Sequence, residues 1–275
     1  MEQTINNLNE TSEYETLSIQ VSLNGLSFCA IDSDNVITDI AEEDFGILLS
    51  PEQLLEKLKI IFSTHPLLKK DFNTLEVIYH NDLYTLVPFA LFDKDHLKEY
   101  LQYSNKVFDH DFIAHDELLH GDMVTVFIPY ANINNYFFEN FGSFTYQHTM
   151  SVLLNIILLQ EKNSETTRVY AHLHKKSFDL VIMQSGKLLL GNTFPFENEE
   201  DFLYYVLFST EQFRLNPEEF ELIFSGNIVE NDANYKMAYT YIRNISFARG
   251  NGKYQLSPHL NLKNQHQHFM LFNQL

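Results

Sequence analysis

The sequence predicts an α/β chain of two similarly built halves, each a mixed sheet with helices packed on it, separated by a cleft. Three observations carry this. A length of 275 residues exceeds the usual size of one domain and suits two compact ones. A hydrophobic fraction of 45%, with 24 Phe and 15 Tyr, supplies enough large apolar side chains for two cores. The order of elements also repeats, with three β-prone runs and then a helix opening each half, and repeated order is a signature of duplication.

Residues 1–15 are polar and acidic and read as a flexible N-terminus, without the basic start and apolar run of a secretion signal. Leu17 to Asp39 turns at Asn24-Gly25 and at Ser33-Asp34-Asn35, which predicts three antiparallel strands because Asn and Gly tolerate positive φ. Ser50-Pro51-Glu52-Gln53 offers an N-cap, a proline at the first helical position and a glutamine able to close a capping box. Leu54, Leu55, Leu58, Ile61 and Phe62 continue at helical spacing to about Thr64. Strands are expected at Leu75 to His80 and Tyr84 to Val87, and a helix at Lys94 to Tyr103. The continuous apolar run Met123 to Tyr130 reads as a strand buried on both faces, followed by a helix from Asn132 to Phe141 and a strand from Phe144 to Gln147. Thr149 to Glu161 is apolar almost all round, so that helix belongs inside, between layers or between domains.

Polar Asn163-Ser164-Glu165-Thr166 marks the boundary between a first domain, 16–163, and a second, 164–275. A second meander is expected at Arg168 to Leu173, Phe178 to Gln184 and Lys187 to Asn192. A helix capped by Asn198 and Asp201 follows, then a short strand from Phe220 to Phe224, a turn at Ser225-Gly226-Asn227 and a helix from Asn231 to Arg243. The last stretch fits no single element. Ser27-Phe28 and Ser177-Phe178 take the same place in the two repeats.

Ser177-Phe178-Asp179-Leu180-Val181-Ile182, Lys187 through Phe196, Glu200 through Tyr205 and Leu222-Ile223-Phe224-Ser225-Gly226 together resemble an uncharacterised Bacteroidetes family. That family has an actin-like ATPase fold and is related in architecture to PilM and FtsA. The resemblance covers nearly the whole chain and implies a duplicated actin-like, ribonuclease H-like two-domain fold with an interdomain cleft. In such ATPases two glycine-containing turns grip the phosphates, an acid in each places metal or water, and a glycine pair lies under the adenosine. Glycine serves there because backbone N–H groups must approach phosphate oxygens closely. Here the first turn, Ser22 to Ser27, has Asn24-Gly25 and no acid, and the second, His172 to Ser177, has His174-Lys175-Lys176, no glycine and no acid before Asp179. Ser225-Gly226 keeps half of the adenosine motif. The cleft candidates are therefore Asn24, Gly25, His174, Lys175, Lys176, Ser225 and Gly226, in a site expected to have lost hydrolysis, with Lys175 and Lys176 read as solvated.

Eighteen Lys and Arg against 37 Asp and Glu give a net charge of −19, which repels a phosphate backbone and excludes nucleic acid as a partner. Cys29 is the sole cysteine, so an intrachain disulfide and a thiol-rich metal site are excluded, and its place in a strand predicts an inert, buried thiol. No apolar run approaches the roughly 20 residues of a membrane span. His110, His115 and His120 stand at a spacing that suits neither a helix face nor a strand face, and read as a solvated acidic connection. His172 with His174, and His266 with His268, supply two ligands each and read as surface polarity, so no metal site is expected. Neither Ser27 nor Ser225 lies in a G-x-S-x-G context, so no catalytic residue is assigned. Core packing accounts for most of the aromatic stripe Phe202, Tyr204, Tyr205 and Phe208. The sequence thus predicts a cytoplasmic, non-catalytic scaffold or protein-binding module with an unidentified protein partner, no cofactor and no membrane insertion, with homo-oligomerisation open. The rival is a nucleotide-binding switch or ATPase with a divergent site.

Overall fold

Tight turns near the N-terminus fold the chain into a meander of β1 (Tyr14–Ser22), β2 (Gly25–Asp32) and β3 (Val36–Asp44). The computed structural model describes residues 14–249, 254–260 and 262–273, so residues 1–13 of the N-terminal stretch read as flexible lie outside it. At the second turn Asp32 Oδ1 accepts hydrogen bonds from the N–H groups of Asp34 and Val36, while Asn35 takes the left-handed conformation that asparagine tolerates.

Helix α1 (Pro51–Thr64) starts at the capping box its sequence announces: Gln53 N–H donates to Ser50 Oγ, and Ser50 N–H to Gln53 Oε1. Ser50→Ala should therefore cost about 1 kcal/mol, read as a lower thermal midpoint; an unchanged midpoint would show that the box contributes nothing. The chain continues through β4 (Thr74–Tyr79), β5 (Tyr84–Pro88), α2 (Leu97–Leu101), β6 (Ala114–Glu117), β7 (Met123–Phe127), α3 (Ala131–Phe141), β8 (Thr145–His148) and α4 (Thr149–Glu161). It ends with β9 (Thr167–Leu173), β10 (Ser177–Gln184), β11 (Lys187–Pro195), α5 (Glu199–Gln212), β12 (Glu221–Gly226), α6 (Ala233–Tyr241), β13 (Asn244–Phe247) and β14 (Gln255–Leu256).

Two helices are shorter than their sequence pattern. The helix expected at Lys94 to Tyr103 begins as a 3-10 turn over Lys94–His96, capped by the Asp93 side chain, and is α-helical only at Leu97–Leu101. In the second half Asp232 accepts from Asn234 N–H and sets the start of α6 at Ala233. Ser225 and Gly226 end a strand, where a turn was expected.

The larger sheets have matching topologies. One runs β14-β3-β2-β1-β4-β8 and the other β11-β10-β9-β12-β13. In each, the meander is antiparallel and the next two strands add in parallel beside its first strand. Phe28 and Phe178 are both buried in the second strand of their meanders. Strands β4 and β5 part company at Asn81, whose side chain bonds Ile128 O and Leu83 N–H, and β5 joins β7 and β6 in a small antiparallel sheet. The final strand, β14, returns to pair with β3.

Helix α4 belongs to both halves. Its residues Thr149 to Leu158 are all buried, and its apolar side chains share one cluster with Leu17 and Val77 of the first sheet and with Val181, Met183 and Ile223 of the second. At its C-terminal end Glu161 Oε1 accepts from Arg168 Nη1 and Tyr170 Oη, both on β9 and both at 2.6 Å.

Candidate functional site

Where the meanders face each other, the β1–β2 turn, the β9–β10 turn and the end of β12 enclose a cleft of about 370 Å³. Asn24, Gly25, His174, Lys175 and Gly226 all line it. Ser225 is buried beside it against His172, and Lys176 is exposed and not among the lining residues.

Both glycines answer local packing. A Cβ on Gly25 would stand 3.1 Å from Glu43 O. Gly226 has φ of 77°, and a Cβ there would collide with the backbone of Leu173, to which Asn227 N–H is bonded at 2.7 Å. The turns are likewise occupied by their own side chains. Asn24 Oδ1 accepts from Ser22 Oγ at 2.7 Å. Lys175, read from sequence as a solvated lysine, is exposed and lies 2.5 Å from Asp44 Oδ1 at the cleft mouth, a contact that holds the Asp44 carboxyl below its ordinary pKa. Glu42, Glu43 and Asp44 make that rim acidic.

The floor of the cleft is a cluster of imidazoles around one carboxylate. His172 is 3% exposed and the His174 side chain 10%, so these two, expected as surface polarity, are buried. The β9–β10 turn folds inward and stacks His174 on His80, with ring centroids 3.5 Å apart. His174 Nε2 lies 2.8 Å from Asp179 Oδ2, and Thr193 Oγ1 donates to Asp179 Oδ1 at 2.6 Å. Since Thr193 gives its hydrogen to the carboxylate, Tyr84 Oη, 2.9 Å away, is the donor to Thr193. His172 Nδ1 pairs with Ser225 Oγ at 2.9 Å. His148 caps α4: its Nδ1 accepts from Met150 N–H, which makes Nε2 the protonated nitrogen that donates to Asn81 O.

Burial pushes His80, His172 and His174 down to about 3 and His148 to about 4, and neighbouring imidazoles push the same way, so all four rings are neutral near pH 7. The arrangement can accept cations and hydrogen-bond donors. Among the described residues that line the cleft, the one lysine, Lys175, is paired with Asp44.

Sequence reasoning missed His80, His148, Tyr84 and Thr193 and gave Asp179 no role. One signal was present: Asp179 is the only charge in the run Ser177–Gln184, and a lone acid in an apolar strand needs a buried partner. Elsewhere Cys29 is fully buried, with its thiol pushed up to about 12 by desolvation, and His110, His115 and His120 are exposed. The aromatic stripe on α5 divides: Phe202 is buried, whereas Tyr204 and Phe208 stack on each other in solvent, 59% and 47% exposed. Helical spacing places that pair on the outer face, so core packing accounts for Phe202 and partly buried Tyr205 and not for these two.

A family model described as "Protein of unknown function (DUF3822)" matches residues 4–245. No curated protein matches the chain. Among solved structures, a Bacteroides thetaiotaomicron protein with an actin-like ATPase fold and unknown function aligns with a TM-score of 0.77 at 20% identity, over 86% of this chain and 91% of that one. The PilM–PilN type IV pilus biogenesis complex aligns with a TM-score of 0.61 at 11% identity, over 95% of this chain and 96% of that one. The chain therefore has the actin-like ATPase fold.

Proposed function

We propose, for a chain that belongs to the DUF3822 family of proteins of unknown function, the role of a non-catalytic binding module that holds a protein partner. The observation that carries this reading is the state of the second turn. His174 packs on the cleft floor against His80 and Asp179, and Lys175 pairs with Asp44 at the rim, so the residues of this turn that line the cleft offer phosphates neither a glycine nor an unpaired cation. An acidic rim adds repulsion toward a triphosphate. Gly226, the remnant of an adenosine motif, is required by the approach of β12 to β9 with or without a nucleotide. PilM, a protein of the same fold, is known in a complex with PilN, and holding another protein is the comparable role proposed here.

Among the described residues no helix is long and apolar enough to cross a membrane, and a cytoplasmic setting is part of the proposal. A nucleotide at 100 times its dissociation constant would stabilise the fold by about 2.7 kcal/mol. Millimolar Mg²⁺-ATP is expected to leave the thermal midpoint unchanged and to release no phosphate. A magnesium-dependent rise that Lys175→Ala abolishes would replace this reading with a nucleotide switch.

A further inference from the structure

Three side chains of metal-ligand type meet on the cleft floor from separate elements. His80 follows β4 in the first half, His174 sits in the β9–β10 turn, and Asp179 lies on β10. One ligand atom from each lies within 4.8 Å of the other two. We propose that His80, His174 and Asp179 hold a divalent first-row transition ion of the Zn²⁺ type, which clamps the two halves together and keeps coordination positions open toward the cleft.

The donor set selects the ion. Two imidazoles and a carboxylate suit Zn²⁺ and its neighbours, whereas Mg²⁺ and Ca²⁺ need oxygen-rich shells. Three protein ligands with an exchangeable position is the pattern of open zinc sites, so the ion would present a vacancy to whatever enters the cleft. The acidic rim of Glu42, Glu43 and Asp44 lines the same cavity and favours entry of a cation.

The geometry is close to what an ion requires. His174 Nε2 and Asp179 Oδ2 are 2.8 Å apart, and two ligands of a tetrahedral zinc at about 2.1 Å stand about 3.4 Å apart, so the ion would part them by roughly half an ångström. The outer limit of 4.8 Å exceeds the about 4.2 Å that two such ligands span, so an imidazole at that limit has to swing inward. The His80 ring stacks on His174, but its nitrogens are poorly partnered. Its Nε2 has only a 3.4 Å contact to Ser177 Oγ, and its Nδ1 is buried with no hydrogen-bond partner. An orphaned buried nitrogen is costly, and a metal bond would satisfy it.

The support around the triad also fits. Metal-ligating carboxylates are held by outer hydrogen bonds, and Asp179 Oδ1 accepts from Thr193, which is itself positioned by Tyr84. As the ion takes the place of the hydrogen shared by His174 Nε2 and Asp179, the imidazole would carry its one proton on Nδ1 and bind through Nε2 as a neutral ligand.

The test uses the whole chain without a histidine tag, stripped with a chelator and dialysed against Zn²⁺, with metal content measured by atomic emission and folding checked by circular dichroism. One zinc per chain is expected, with a zinc-dependent rise in thermal midpoint. His80→Ala is the decisive variant because the ring nitrogens have so few other hydrogen-bond partners, and it should bind at least about 10-fold more weakly. Thr193→Val should weaken binding by about 10- to 100-fold through loss of carboxylate positioning. Combined alanine substitution of exposed His110, His115 and His120 should leave stoichiometry and affinity unchanged. Wild-type chain without zinc, a folded His80→Ala that binds as tightly as wild type, or loss of zinc in the exposed triple variant would each overturn the proposal.

Discussion

Leu154→Ala and Ile157→Ala are each expected to destabilise the protein by about 2 to 5 kcal/mol, the usual range for emptying a fully packed site. Both side chains are 0% exposed, in a helix whose residues from Thr149 to Leu158 are all buried. On the other side of the helix Gly191 of β11 comes so close that an added Cβ would touch Met150 and Leu154, which leaves little room for the surroundings to collapse into a new cavity. Because α4 packs in one cluster with strands of both large sheets, the two halves should unfold in one transition. Urea denaturation followed by circular dichroism checks this. Unchanged midpoints in both variants would contradict the packing, and a loss confined to one of two separate transitions would show that the helix serves a single half.

Local signals made much of this architecture legible. Asn24-Gly25 and Ser33-Asp34-Asn35 turn the chain, Ser50 and Gln53 close a capping box, and Asn198 accepts from Asp201 N–H at the start of α5, all within a few residues of sequence. The all-apolar pattern of Thr149 to Glu161 likewise implied burial by itself. The cleft floor was not legible, because its chemistry is assembled by contact between distant segments. His80 follows one strand, His174 sits in a turn of the other half, and nothing near either announces that their rings stack. Turn composition marked Lys175 as an exposed charge, which it is, but its partner Asp44 arrives at the end of another meander, so the turn alone could not supply the ion pair. For the same reason β14, two residues long and paired in parallel to β3, carries no local signal.

A substitution beside the floor separates burial of charge from loss of contacts. Asp116 on β6 accepts the His148 backbone N–H at 2.8 Å, and desolvation raises its carboxyl from 3.8 to about 6. Below about pH 3.8 the folded and unfolded chains both carry the proton, and the group costs nothing. Between 3.8 and about 6 the unfolded chain ionises while the folded one keeps its proton, so stability falls as pH rises; above about 6 the loss is complete. At about 1.4 kcal/mol per pH unit the gap corresponds to about 3 kcal/mol. Asp116→Asn keeps an acceptor for the His148 N–H and removes the ionisation. It is expected to be more stable than the parent chain by up to about 3 kcal/mol near pH 8, with the difference shrinking toward zero as pH approaches about 4. His80, His148, His172 and His174, depressed by burial, weaken the fold in acid, but they are present in both proteins and cancel in the difference. Paired urea titrations across this pH range, on chelator-treated protein, measure it. A constant offset at every pH would assign the effect to packing, and a variant less stable than the parent near pH 8 would mean that the carboxylate is stabilised where it lies, against the desolvation argument.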